Sequence, residues 1–267
     1  MLTVSPRAPH TTPTIQKLHL LALLCHPTHA SFQSIILHSP NSRWRNPGII
    51  FRRMENSSSQ QPRKSITFVT GNKNKLAEVQ RLLSTTASSS DDHSSTLPFD
   101  IINHKLDLPE LQGTPEDIAR EKCKLASTQL QTAVFTEDTC LCFSALNKLP
   151  GPYIKWFLEG IGLEGLNKLL VGFDNNQAYA QTIIAFSPGP DEEIQLFDGR
   201  TEGYIVPARG SKDFGWDPIF EPTEQGNSGS NKKTYAEMSG DEKDAISHRG
   251  RAFRKFREYL MSNADNI

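Results

Sequence analysis

The stretch Ile66-Thr67-Phe68-Val69-Thr70-Gly71-Asn72-Lys73-Asn74-Lys75 runs a strand straight into a helix, and it limits the folds open to this chain more than any other segment. Ile66, Phe68 and the β-branched Thr67, Val69 and Thr70 favour extended backbone. Leu76, Val79 and Leu83 then recur at helical spacing, which places Glu78 and Arg81 on the opposite side. The leading N–H groups of a helix have no intrahelical partner and sit at the positive end of its dipole. An anion placed there is held by both effects, Gly71 lets backbone approach it, and Lys73 and Lys75 add full charge. The joint reads either as a phosphate cradle or as a tight turn with a solvated basic first turn. It lacks the GxxxxGK[ST] spacing of a P-loop, which argues against a Walker-type NTPase.

Further along, helical and strand patterns alternate. Thr114-Pro115-Glu116-Asp117 is a helix start, with Thr as N-cap, Pro at the first position and acids in the first turn. Ala119, Cys123, Ala126 and Leu130 form the buried stripe expected of that helix. Ala133 to Thr136 reads as a short strand ending at Glu137-Asp138. Residues 152–158 and 163–170 read as helices, and 179–187 and 193–206 as strands around the turn Pro188-Gly189-Pro190-Asp191. Ser239-Gly240-Asp241-Glu242 is a capping box opening a final helix, with Ala245, Ile246, Ala252, Phe253, Phe256 and Leu260 facing inward. The pattern is an α/β body with a mixed sheet, interrupted by two polar surface inserts at 84–96 and 225–231.

Charge is unevenly spread. No acid precedes Glu55, so residues 55–267 carry all 30 acids against 23 of the 29 Lys and Arg, a formal balance of −7. An acidic body argues against a general nucleic-acid surface. No stretch reaches the ~18–20 apolar residues of a membrane helix. Residues 1–63 hold scattered Arg and Ser and five of the eight histidines. They read as a disordered leader or a plastid or mitochondrial transit peptide, with the domain proper spanning 64–267. Met54-Glu55-Asn56-Ser57 would equally make an ordinary cytosolic start. Cys25, Cys123, Cys140 and Cys142 show no paired zinc spacing, so free thiols in a reducing compartment are expected.

Five groups of residues carry candidate chemistry. Glu137-Asp138-Thr139 follows a strand, where open α/β sheets place ligands, and Mg²⁺ takes one or two such carboxylates. Loop acids making caps or surface ion pairs are the other reading. Glu110, after Leu108-Pro109, is a second candidate metal ligand. Lys122 and Lys155 are either snorkelling surface lysines or placed cations. Asp213-Phe214-Gly215-Trp216-Asp217-Pro218 could stack on a planar base, Asp217 accepting from its ring N–H groups, or could plug a core. Lys243 and Ser247-His248-Arg249 add donors, which would favour a 6-keto base over a 6-amino one.

Taken in order, Thr70-Gly71-Asn72-Lys73-Asn74-Lys75, Leu108-Pro109-Glu110, Glu137-Asp138-Thr139, Phe214-Gly215-Trp216-Asp217 and Ser247-His248-Arg249 resemble the inosine triphosphate pyrophosphatases, and residues 149–157 resemble their eukaryotic branch. The resemblance spans about residues 64–262. It implies an elongated mixed sheet flanked by helices, two lobes with a cleft between them, and a homodimer; the reduced thiols and a nucleotide-cleansing role favour the cytoplasm. The implied activity is Mg²⁺-dependent hydrolysis of ITP, dITP and XTP to monophosphate and pyrophosphate, with Mn²⁺ as a substitute. By the same resemblance Thr70 to Lys75 hold the triphosphate, Glu110 and Asp138 hold the metal, and Asp138 is the general base. Lys122, Thr139 and Lys155 contact substrate, while Phe214 to Asp217, Lys243, His248 and Arg249 hold the base end. A pyrophosphatase for pyrimidine or modified nucleotides, and a non-catalytic nucleotide-binding module, are the competing functions; the second predicts loss of the metal carboxylates, which are present.

Overall fold

A computed structural model describes residues 63–84, 97–225 and 232–267. Residues 1–62 of the expected leader, and all but the first residue of each polar insert, lie outside the described residues. Among the described residues, seven strands form one open mixed sheet. β1 (Lys64–Val69) lies parallel between β2 (Phe99–His104) and β3 (Val134–Phe143). Beyond β3 the order continues antiparallel through β5 (Gln177–Ser187), β6 (Gln195–Ile205) and β7 (Phe220–Pro222), while the two-residue β4 (Pro150–Gly151) pairs with the end of β3. Among the described residues no helix is long and apolar enough to cross a membrane.

Strand alternation sorts the core onto the two faces of the sheet. Phe68, Phe135, Ile184 and Phe186 pack under α1 (Lys73–Ser84) and α5 (His248–Ser262), burying Val79, Leu83, Phe253, Phe256 and Leu260. Phe68 and Phe135 stack at 4.6 Å across the parallel β1–β3 pair. Such a contact adds about 0.5–1.5 kcal/mol beyond its area. Val134, Ile183 and Ala185 on the other face meet α2 (Pro115–Leu130) through Ala119, Cys123 and Ala126, with Leu130 only partly buried. Thr114 caps α2 by accepting the Asp117 N–H at 3.2 Å, and Pro115 stands at its start, as its sequence requires. Cys123, Cys140 and Cys142 are free and buried; burial pushes the Cys123 thiol up to about 12.

Three sequence expectations are corrected. The strand expected to stop at Glu137-Asp138 runs on to Phe143, because Cys140 to Phe143 are buried and the whole strand pairs with β5, from Val134↔Ser187 to Phe143↔Ala178. What stops near the acids is the neighbouring strand. Phe135 is the last residue paired with β1 and Leu141 the first paired with β4, and no strand lies beside that edge between them among the described residues. The rule that ligands sit beyond the carboxyl ends of strands therefore applies through β1, not β3.

The single final helix is two. α4 (Gly240–Ile246) keeps the expected capping box at Ser239, but Ser247 adopts extended backbone and its hydroxyl caps α5 by accepting the Gly250 N–H at 3.0 Å. Ala245 is then exposed and Ile246 only half-buried, while Lys243 takes the inward position. Glu78 and Arg81 do not face away from the packing either. The α4–α5 junction lies against that flank of α1, so Glu78 is buried and Arg81 pairs with Asp244 at 2.6 Å. The segment expected to hold two helices is α3 (Ile154–Lys168), broken at Gly162, whose φ is 66°.

Candidate active site

At the joint between β1 and α1, Asn72 caps the helix. Its side-chain oxygen accepts the N–H of Asn74 at 3.0 Å and of Lys75 at 3.2 Å, and Thr70 accepts the Asn72 N–H at 3.2 Å. Two of the amides expected to await an anion are thus already bonded within the turn. Cationic groups remain close by: Lys73 lines the cavity here, and the Lys105 stem packs against Gly71. Lys75 turns inward instead, bonding the Glu137 carbonyl at 3.1 Å and lying 3.0 Å from its carboxylate.

Successive β3 side chains point to opposite faces, so the adjacent acids serve different surroundings. Asp138 faces α2, where Lys122 donates to its Oδ1 at 2.9 Å. The same ammonium lies 3.4 Å from Glu110 Oε2, and Lys155 bonds Glu110 Oε1 at 3.1 Å. Burial opposes the charge on Lys122, but Asp138 and Glu110 outweigh it and hold its pKa above the ordinary lysine value. Burial likewise pushes the Glu110 carboxyl up, and its two lysines more than reverse that. Glu137 faces α5 and α1, where Arg249 Nη2 lies 3.2 Å away and Thr139 donates at 2.7 Å. Burial would raise its carboxyl, yet Arg249 and Lys75 drive it far below the carboxylate range.

The α4–α5 junction delivers the remaining groups. Arg249 sits in the first turn of α5, where the helix dipole disfavours a cation. Two buried carboxylates offset this: Glu137, and Glu78, which bonds Arg249 Nη1. Glu78 also takes Lys243 at 3.0 Å, and Lys243 reaches Asp217 at 2.5 Å. Burial pushes the Asp217 carboxyl up, with Lys243 only partly offsetting it. Burial, helped by Arg249 and Lys243, drives the His248 imidazole well below its ordinary value, so the ring is neutral. It stacks on Tyr235 at 5.7 Å and lies 5.4 Å from Trp216. The aromatic loop divides between its two readings. Trp216 joins the core with Phe220 and Tyr235, while Phe214 is half-buried and holds Lys243 4.2 Å from its ring centre. Exposed Gly215 between them has φ 51°, a turn that a side chain there would strain.

These groups surround one cavity of about 860 Å³, within the size range of small-molecule sites. Every sequence-expected site residue lines it except Lys243, which lies behind Phe214 and Asp217. The Ham1 family profile matches residues 66–259. The chain belongs to the Ham1 family. It is 50% identical over 195 residues to an inosine triphosphate pyrophosphatase of Puccinia graminis f. sp. tritici, a match covering 73% of this chain and 96% of the relative. A protein of the same name from Emericella nidulans is 50% identical over 198 residues, covering 74% and 97%. Among solved structures, a HAM1 protein from Coxiella burnetii superposes with TM-score 0.62 at 26% identity, covering 74% of this chain and 99% of that one. A Mycobacterium abscessus nucleoside-triphosphatase / dITP/XTP pyrophosphatase gives 0.54 at 26%, covering 72% and 98%.

In this Ham1-family chain the acids suit a hard divalent cation. Asp138 Oδ2 is buried without a hydrogen-bond partner, and its other oxygen shares one ammonium with Glu110. No cluster of three or more His, Cys, Asp or Glu side chains stands ready for a metal among the described residues. Two carboxylates completed by water and phosphate is the usual protein share of a Mg²⁺ shell. Sequence reasoning missed Glu78 and Glu137. Glu137 stood beside Asp138 in the motif, so strand alternation would have found it; nothing in the α1 sequence marks Glu78.

Proposed function

We propose that this chain hydrolyses ITP, dITP and XTP to the monophosphate and pyrophosphate with the help of a divalent cation. One observation carries the reading: a single cavity joins a lysine-bearing helix start, a carboxylate pair and an aromatic face backed by buried cations. The names of the relatives, matched over nearly their whole lengths, support the same chemistry.

Phosphates bind between Thr70 and Lys75, with Lys73, Lys75 and Lys122 facing the charge that builds on the leaving pyrophosphate. Asp138, through the unpartnered Oδ2, orients a water for attack on the α-phosphorus and takes its proton. The water oxygen bonds to phosphorus as the bond to the bridging oxygen breaks. Mg²⁺, or Mn²⁺ in its place, would be held by Glu110 and Asp138 and would supply Lewis-acid polarisation and neutralisation of phosphate charge. Lys155 and Thr139 contact the substrate between its two ends. At the far end the base lies against Phe214, and cationic donors there match a 6-keto group while opposing the 6-amino group of adenine. A buried mismatch of that kind discriminates by about 10⁴–10⁵. We read the protein as a cytoplasmic homodimer, the unpaired thiols fitting a reducing compartment. A transit role for residues 1–63 would move it to a plastid or mitochondrion instead.

The test is pyrophosphate release from ITP and XTP beside ATP, GTP, CTP and UTP, with and without Mg²⁺. Preferential, Mg²⁺-dependent release from ITP and XTP is expected. Equal turnover of all six would replace this reading with a general nucleotide pyrophosphatase.

A further inference from the structure

The side chain of Glu137 has no exposed surface, yet it touches both ends of the cavity. Its Oε2 lies 3.0 Å from Lys75 Nζ at the phosphate end. Its Oε1 accepts from Arg249 Nη2 at 3.2 Å at the base end, and Thr139 and Thr182 hold that same oxygen at 2.7 and 3.4 Å. Arg249 continues the connection to Glu78, Lys243 and finally Asp217, behind the aromatic loop. One carboxylate is thus shared by two cations that face different parts of a substrate.

We propose that Glu137 is a positioning residue that couples the two ends of the site, so that filling the phosphate end tightens the grip on the base. This rests on the assignment of the two ends made above. A phosphate that draws Lys75 toward itself takes from Glu137 one of its two cationic partners. The carboxylate charge then falls more fully on Arg249 and fixes its guanidinium, because charge-assisted bonds strengthen as competing partners leave. The group is out of water, so solvent and salt screen this exchange little. A merely structural ion pair would stabilise the fold and leave the two ends independent.

Two probes, each filling one end, decide the matter by calorimetry on the full-length chain with Mg²⁺ present: inosine for the base and inorganic tripolyphosphate for the cradle. In the wild type, saturating tripolyphosphate is expected to tighten inosine by about 5-fold or more, the low end of usual coupling, and inosine to tighten tripolyphosphate by the same factor. In Glu137→Gln each probe still binds and the factor falls to one. Lys75→Gln cuts the same link at its more accessible end; with tripolyphosphate raised until it saturates the weakened cradle, inosine is again expected to bind with unchanged affinity. Independent binding in the wild type overturns the proposal while leaving the reading of the site intact, and so does coupling that survives both substitutions. A cavity that takes tripolyphosphate but never inosine overturns both.

Discussion

Asp138 and Arg249 both touch the cavity, but their environments give opposite expectations for mutagenesis. Asp138 is partly exposed, and Asn is nearly its size, so Asp138→Asn should stay folded and lose about 10²–10⁴ in kcat, the usual share of a general base. Near wild-type turnover at saturating Mg²⁺ would remove Asp138 from the mechanism. Arg249 is 3% exposed and faces Glu78 and Glu137. Arg249→Ala takes one cationic partner from each of two buried carboxylates, leaving Glu78 to Lys243 and Glu137 to Lys75, and should cost about 3–5 kcal/mol of stability, visible in denaturant unfolding. It is therefore a poor probe of base selectivity. Phe214→Ala is the better one, with a loss of about 1–3 kcal/mol in nucleotide binding and little change in Tm. Unchanged affinity for ITP in that variant would mean that the ring only shields Lys243.

The sequence made individual elements legible where the signal was local. The strand entering α1, the Thr114 cap of α2 and the Ser239 capping box all stand where their residues dictate. What it hid depended on contacts between distant segments. Nothing near Glu137 says that β5 would carry the strand on to Phe143, and nothing near Glu78 says that α5 would deliver an arginine to it. The residues that line the cavity were legible as types in order, but the division of labour between Phe214 and Trp216 was not, because core packing decides it. The break at Ser247 went unread because the apolar spacing continues across it. The break opens α5 with His248 and Arg249 at the cavity, and Ser247→Ala should cost about 1 kcal/mol by loss of the cap. It should also lower kcat/KM for ITP more than Ser239→Ala, a cap further from the cavity. Equal effects would reduce Ser247 to a helix cap and nothing more. Gly199 on β6 is the matching constraint: a Cβ there would run into the His248 carbonyl and the Ala252 backbone nitrogen, pushing α5 off the sheet.

At the scale of the molecule, stability should depend on acidity through His248. Folding holds this imidazole neutral, well below its ordinary 6.5. Below that value the unfolded chain binds a proton that the folded one refuses, so stability falls as pH falls. The slope approaches about 1.4 kcal/mol per pH unit, the limit for one proton. Melting between pH 7 and 5 should show it, and His248→Asn should flatten the curve; parallel curves would assign the trend elsewhere. Glu78 and Glu137, held below 4.5, lose their contribution only at lower pH, while Asp217, raised above 3.8, acts in the opposite sense. Removing residues 1–53 should leave ITP turnover unchanged, since the Ham1 match begins at residue 66. A large loss of activity on trimming would give that segment a part in the enzyme. The sheet itself imposes a stricter arithmetic. All ten residues of β3 are matched to β5, and the two neighbouring acids are distributed by parity alone. One residue added ahead of Glu137 would exchange their destinations, sending Asp138 among the arginine and lysine of the other face and Glu137 toward α2. In β3, therefore, the chain has to count.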